Sequence, residues 1–573
     1  MARRPARRRP GPAPADTLSR LEALRTERGP APAQEKLAAM ARLDRARLPD
    51  ADAVLRLHEA LSFLAAYPDD ERVRAAAEFL LQRFESRADL RRFRRDLESS
   101  GIAGTDIVYP FFAPTARWLA HDFPQRLSVV WRDLEHPERL AAALSLLATY
   151  SESPALDEYD HPAREWVRRL AGPGVTDATW ILRRIETLTR SSFLHEAIYQ
   201  ELGLTLRLAW GDGGPSRTLD RWPTGPVHLF DAPLRRHRPD LRREVRRRPV
   251  AIEPVDPKDG QRLVALARGA MITRARDLDA LAWGSADDVR LVRWDDGLVF
   301  ALIGQVPERR LMLESVYGIL TLQNGVPIGY ALISSLYRSS EIAYNVFDAF
   351  RGGEAAWVFA RMLATARAVF GARAFVIVPY QLGYDNDEGL DSGAFWFYAK
   401  LGFAPREAET LRLMNGEQRK IGANPGYRSD RAMLQRLASQ NAFLDLGRPR
   451  RDVMGALPMA DATLAVVREL AARGGADRER AVASCRADVI RRLGASSFRS
   501  MTPGEKLALD RWAPLVCVLP GVERWSAAER HALAAVIRAK GGRRESEFVL
   551  RFDAHAKLRR ALATLAVRES RNA

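Results

Sequence analysis

The sequence predicts a multidomain α and α+β protein: a central α/β domain on a mixed sheet, flanked by N-terminal and C-terminal all-α regions. Three observations carry this. Apolar residues recur at helical spacing over residues 17–199 and again beyond 415. Between these regions, residues 250–348 hold short alternating runs separated by hairpin signals. A turn at Arg351-Gly352-Gly353 then leads into a long amphipathic helix and a further strand at 374–379. The 573 residues suit about three or four domains. They divide into a disordered basic arm (1–16), a helical domain (17–203), an irregular basic linker (204–249), the α/β domain (250–414) and a C-terminal helical domain (415–573).

In the helical domain, Asp16-Thr17 is placed to cap the first helix, and a second is expected over 32–48. Asp50 and Asp70 each open a run with apolar positions at i, i+3 and i+4. Further helices are expected over 88–98, 114–121, 137–150, 163–170, 177–188 and 191–202, with no clear repeat period. Residues 234–250, LRRHRPDLRREVRRRPV, form the densest basic run in the chain. In the α/β domain, strand 250–255 precedes a helix begun by Asp256-Pro257, with another over 275–283. Hairpins follow at Asp295-Asp296-Gly297 and at Asn324-Gly325, the second a type I′ signal. A third consecutive strand spans 341–348. Helices over 429–443, 461–473, 478–493, 503–512, 527–539 and 546–565 complete the chain.

A content of 47% hydrophobic and 28% charged residues is that of a folded protein. The formal charge of +17 favours acidic partners without selecting among nucleic acid, anionic lipid and a phosphorylated cosubstrate. The arm and residues 234–250 are the stretches a nucleic acid would use; a solvated surface is the plainer reading. Cys485 and Cys517 make neither a disulfide framework nor a zinc site and read as small buried side chains, which suits a cytoplasmic setting. No apolar run reaches the ~18–20 residues that span a bilayer, and the arm lacks the apolar segment of a secretory signal. The histidines lack metal-site spacing, so no metal is expected.

The chemistry concentrates in residues 317–403. Gly352 and Gly353 let backbone approach a ligand closely, and the helix after them offers unpaired N–H groups and a dipole that favour phosphate. Arg351 adds a cation with fork geometry. The segment AFWFYAKLGF, 394–403, follows the second strand. This order of elements over roughly 250–414 resembles the GNAT family of acyl-CoA-dependent N-acyltransferases. Ala394, Phe397, Tyr398, Lys400, Gly402 and Phe403 are similar to the family's A-I-x-F-Y-E-K-x-G-F ending. Arg351 and Ala356 match the ends of its Gln/Arg-x-x-Gly-x-Gly/Ala turn. Glu354 stands where the middle glycine falls and sets a like charge near phosphates. Asp391 replaces the asparagine usually found seven residues before the tyrosine, with Asn386 nearby.

The resemblance implies acetyl-CoA, or another acyl-CoA, as cosubstrate and direct attack of an amine on its thioester. Tyr398 would protonate the leaving thiolate. Backbone groups of Val346, Phe347 and Asp348 would align the pantetheine and polarise the carbonyl. Arg351, Gly352, Gly353, Glu354, Ala355 and Ala356 would hold the pyrophosphate. Glu341 and Asp348 are the candidate general bases, and Tyr344 and Asn345 candidates for the acceptor groove. From its own composition, the long acidic loop PYQLGYDNDEG, 379–389, with Tyr384 and Asp385, reads either as a selector of a cationic amine or as a solvated insertion. The alternative is a non-catalytic scaffold, or a nucleic-acid-binding protein, on the same domain.

Overall fold

The computed structural model describes residues 13–223 and 225–571, so most of the arm (1–12) lies outside the described residues. Two sheets organise the chain. Ile107–Tyr109 (β1), Leu127–Val129 (β2) and Leu206–Leu208 (β3) form a small antiparallel sheet with β3 in the middle. The large mixed sheet has nine strands: Ala251–Pro254 (β4), Gly284–Arg293 (β5), Leu298–Gln305 (β6), Ser315–Gln323 (β7), Val326–Leu336 (β8), Ser339–Val346 (β9), Ala374–Ile377 (β10), Ala404–Pro405 (β11) and Ala442–Asp445 (β12). Its order is β4-β5-β6-β7-β8-β9-β10-β12-β11. Neighbours are antiparallel except β9 and β10, which run parallel across the helix Ala355–Phe370. That crossover is the βαβ unit that parallel pairing requires.

Local chemistry accounts for many of these elements. Asp50 caps the helix Ala51–Ala66 by accepting from Ala53 N at 2.8 Å, and Asp70 caps Glu71–Gln82 through the amides of Arg72 and Val73. At the β7–β8 hairpin Asn324 and Gly325 have φ of +47° and +79°, the pair of positive values that a type I′ turn needs. All eight residues of β6 are buried, so the sheet centre is covered on both faces. The helix Pro257–Ile272 packs on β5, Ala355–Phe370 on β9, Ala51–Ala66 on β8, and Glu545–Ala554 on β7 and β8. One continuous apolar core therefore runs from the first helices through the large sheet to the last ones. A second core forms around the small sheet, within residues 107–208 plus Ile272.

The flanks expected to be all-helical both contribute strands. β1 and β2 lie inside the N-terminal region, and their central partner β3 comes from the stretch expected to be irregular. On the C-terminal side, the helix expected over 429–443 ends at Ala438; β12 then enters the large sheet between β10 and β11. The reason is an edge. β10 has β9 on one side and would otherwise show unpaired backbone on the other. The last expected helix, 546–565, is two: Glu545–Ala554 and Ala556–Ser570, with His555 accepting from Leu558 N to cap the second. Among the described residues, no helix is long and apolar enough to cross a membrane.

Candidate active site

The parallel pair splits. β9 and β10 are in register only from Ser339 with Ala374 to Glu341 with Val376. On its other side β9 stays paired with β8 as far as Val346. From residue 342 to 346 the β9 backbone therefore has no strand on the β10 side among the described residues, because Val378 leads into the short helix Pro379–Leu382 and away. A cleft of about 710 Å³ opens at this gap. Ala343, Tyr344, Asn345 and Val346, four consecutive residues, all line it. Successive strand side chains point to opposite faces, so the cleft meets the strand along its edge.

Tyr398 sits at the cleft on the helix Ala394–Lys400. Its ring is packed against Phe359 and Phe403, and it is only 3% exposed. Burial raises its phenol above the ordinary tyrosine range, so the hydroxyl stays protonated at neutral pH. Tyr344 donates its hydroxyl to the carbonyl of Ala355 at 3.2 Å, tying β9 to the first turn of the helix Ala355–Phe370. The side-chain oxygen of Asn345 is buried with no partner among the described residues.

The glycine turn is arranged differently from the expectation. Arg351 and Ala355 line the cleft; Gly352, Gly353, Glu354 and Ala356 do not. Glu354 is 6% exposed and turned toward the linker. Its Oε1 accepts from the Arg235 amide at 2.7 Å and from Arg235 Nε at 2.9 Å, and its Oε2 accepts from Arg235 Nη2. Arg235 also reaches Asp296 at 2.9 Å and lies over the Trp357 ring at 4.6 Å. The like charge feared beside a phosphate is thus neutralised by the basic run at 234–250. Arg247 in the same run pairs with Asp295, whereas Arg242, Arg243, Arg246 and Arg248 face solvent. The two glycines serve packing as well. A Cβ on Gly353 would meet the Tyr67 ring and hydroxyl at 2.9 Å, and one on Gly352 would meet the Arg25 guanidinium at 3.4 Å.

The candidate bases lie apart from the cleft. Glu341 belongs to the closed end of β9, in register with Val376; burial and then Glu314 raise its carboxyl above the usual range. Asp348 is exposed, pairs with Arg351 at 2.7 Å, and with Phe347 lines a neighbouring cavity. Tyr384 faces a separate groove beside Glu407 and Glu409, and Asp385 lines neither space. From the same loop, Tyr380, Asn386 and Glu388 do line the cleft. Glu388 bridges its mouth, accepting from Arg351 at 2.9 Å and from Arg276 at 3.1 and 3.2 Å.

Sequence reasoning missed the opposite wall. Arg274, Ala275, Arg276, Asp277 and Leu278 line it, with Tyr330 from β8 and Tyr109 from the small sheet. Arg276 donates to the Tyr330 hydroxyl at 3.3 Å. Asp277 accepts from the Phe112 amide at 2.9 Å and the Thr115 hydroxyl at 3.0 Å, which fastens the small-sheet region to this wall. Nothing in the sequence pattern marks these residues, since they meet only through tertiary packing. Far from the cleft, the two cysteines also come together. Cys485, Cys517 and Glu469 bring ligand atoms within 4.8 Å of one another. Glu469 is held by Arg473 at 2.6 Å, and burial raises both thiols, that of Cys517 up to about 12. No protein-family model, curated protein or solved structure matches this chain.

Proposed function

We propose that the chain is an acyl-CoA-dependent N-acyltransferase, most simply an acetyltransferase, whose central domain is GNAT-like. The observation that carries the proposal is the open β9 edge, of which residues 343–346 lie along the cleft. A strand edge presents N–H and C=O groups to an extended amide-bearing chain, as β-augmentation does with a peptide. Pantetheine is such a chain. The unpartnered Asn345 oxygen supplies a further acceptor at the same edge. Arg351 and the helix start at Ala355 offer a cation and amide donors for phosphate. Glu354 does not oppose this, because Arg235 holds its charge away from the cleft.

In this reading the neutral amine attacks the thioester carbon, the C–S bond breaks as the C–N bond forms, Tyr398 gives its proton to the departing sulfur, and the proton that the new amide nitrogen sheds restores the phenol. The ammonium proton of the acceptor leaves at the cleft mouth beside Glu388, which with Asp277 lines the cleft where Glu341 and Asp348 do not.

One observation favours a second reading, a binding scaffold without turnover: Tyr67 and Arg25 of the N-terminal helices pack on the glycines that a pyrophosphate would approach. Calorimetric titration of acetyl-CoA into the full chain, with a thiol-release assay over a panel of amines, separates the two. The enzyme reading expects micromolar binding and CoA release that Tyr398→Phe slows. Binding without release on any amine supports the scaffold, and no binding refutes the CoA assignment.

A further inference from the structure

A second cavity, of about 280 Å³, lies beside the cleft and shares the wall Arg274-Ala275-Arg276 with it. Its remaining walls come from the helix Ala51–Ala66, through His58, Glu59 and Ser62, from Ser99-Ser100, from Arg217, and from residues 347–350 that follow β9. Two arginines, Arg217 and Arg274, line it with two carboxylates, Glu59 and Asp348; the third arginine of its lining, Arg276, is paired with Glu388 in the cleft. The carboxylates do not satisfy them. Glu59 stands 3.6 Å from Arg217, beyond good hydrogen-bonding distance, and Asp348 is turned toward Arg351.

Buried donors point to a missing acceptor. His58 and Ser62 are 1% and 4% exposed, and His58 Nδ1, Ser62 Oγ and Arg217 Nε have no protein partner among the described residues. The Thr218 hydroxyl accepts from the Ala103 amide at 2.9 Å and lies 2.8 Å from His58 Nε2. We assign its own proton to Nε2, which puts the ring proton on Nδ1 as a donor. Burial, and then the cations Arg217, Arg221 and Arg274, hold His58 well below its usual range, so the ring stays neutral. Three unpaired donors beside two arginines, Arg217 and Arg274, that no carboxylate holds at hydrogen-bonding distance call for oxygen acceptors carrying negative charge.

The shared wall is itself unusual. Ala275 has φ of +49°, a left-handed conformation that side chains rarely adopt. Strained backbone of this kind persists where its surroundings require it, and sites are where it collects. Its neighbours diverge: Arg274 lies over the Phe347 ring at 3.9 Å, whereas Arg276 reaches Tyr330 and Glu388 in the cleft.

We propose that the second cavity binds a carboxylate or phosphate group, and that this group belongs to the acceptor: a small amine carrying an oxyanion, with its nitrogen in the cleft. The oxyanion site stands on the cavity itself; the assignment to the acceptor rests on the acyltransferase reading. The test uses the full chain and two probes, inorganic phosphate and acetate, in equilibrium binding at constant ionic strength. One saturable site is expected for at least one probe, weakened about tenfold in Arg217→Lys, which keeps the charge but loses the fork. Ser62→Ala should weaken the same probe severalfold, and it decides the matter if the arginine variant fails to fold. Absence of saturable binding, or unchanged binding in the folded variants, overturns the proposal. A second arm compares CoA release with an α-amino acid and with its uncharged amide. A KM advantage for the acid that Arg217→Lys or Ser62→Ala removes supports the acceptor assignment, and equal KM values refute it. Oxyanion binding without acetyl-CoA binding would retain the site and reject the acyltransferase reading. Acetyl transfer without oxyanion binding would do the reverse.

Discussion

Arg235→Ala should destabilise the protein by about 2–4 kcal/mol, through a charge that belongs to another part of the chain. The variant removes two of the three donors that Glu354 uses, leaving only the amide of residue 235. Breaking a buried ion pair by deleting one partner costs about 3–5 kcal/mol, because the other charge stays out of water. The range is lowered here because the Arg235 side chain is 30% exposed, although that of Glu354 is only 7% exposed. Loss of the contact with the Trp357 face adds about 0.5–1 kcal/mol. Glu354→Ala alone removes the buried charge and leaves Arg235 with Asp296, so it should cost less, about 1–2 kcal/mol. Urea unfolding of the wild type, both single variants and the double variant closes a cycle. The double variant should be more stable than the sum of the singles implies, by about 1–3 kcal/mol. Simple additivity within about 0.5 kcal/mol would refute the neutralisation argument, and with it the account of why an acid is tolerated beside a cleft for an anionic ligand.

Gly353→Ala should lower stability by about 1–3 kcal/mol, since its Cβ would press on Tyr67, and pairing it with Tyr67→Leu should recover part of the loss; unfolding curves read both. Asp553, 5% exposed and accepting from the Arg338 amide at 2.9 and 3.0 Å, is raised by burial to about 6. Its protonated form is the one favoured in the fold, so its contribution is full below the ordinary carboxyl range and is lost as pH rises through about 6. Asp553→Asn should therefore raise Tm relative to wild type at pH 7.5, by up to the equivalent of about 3 kcal/mol, with the difference vanishing by about pH 4. A difference independent of pH would contradict this.

Elements whose cause is local were legible in the sequence. The Asp50 and Asp70 caps, the Asn324-Gly325 turn and the helix after Arg351 each carry their own signal within a few residues. The β8–β9 hairpin does not. Its two-residue turn is Tyr337-Arg338, both at positive φ, with no glycine or asparagine to announce it. Asp553 holds it through the Arg338 amide, and Tyr337 donates its hydroxyl to the Arg559 carbonyl, so residues more than 200 positions away specify the turn. β12 was hidden for a similar reason: AFLD pairs as a strand because β10 and β11 are there to receive it. At the site, Tyr398, Tyr344, Asn345, Val346, Arg351 and Ala355 were readable from motif order and do meet at one cleft. Glu341 and Asp348 were placed by strand position alone, which does not say where the parallel pair separates.

The separation of β9 from β10 makes the central claim testable by one measurement, calorimetric titration of acetyl-CoA into wild type and Tyr398→Phe. A single micromolar site is expected in both, with affinities within about threefold, because in the proposed reaction the hydroxyl acts on the leaving sulfur and not on the bound thioester. No heat of binding at high micromolar concentrations of a folded protein would contradict it.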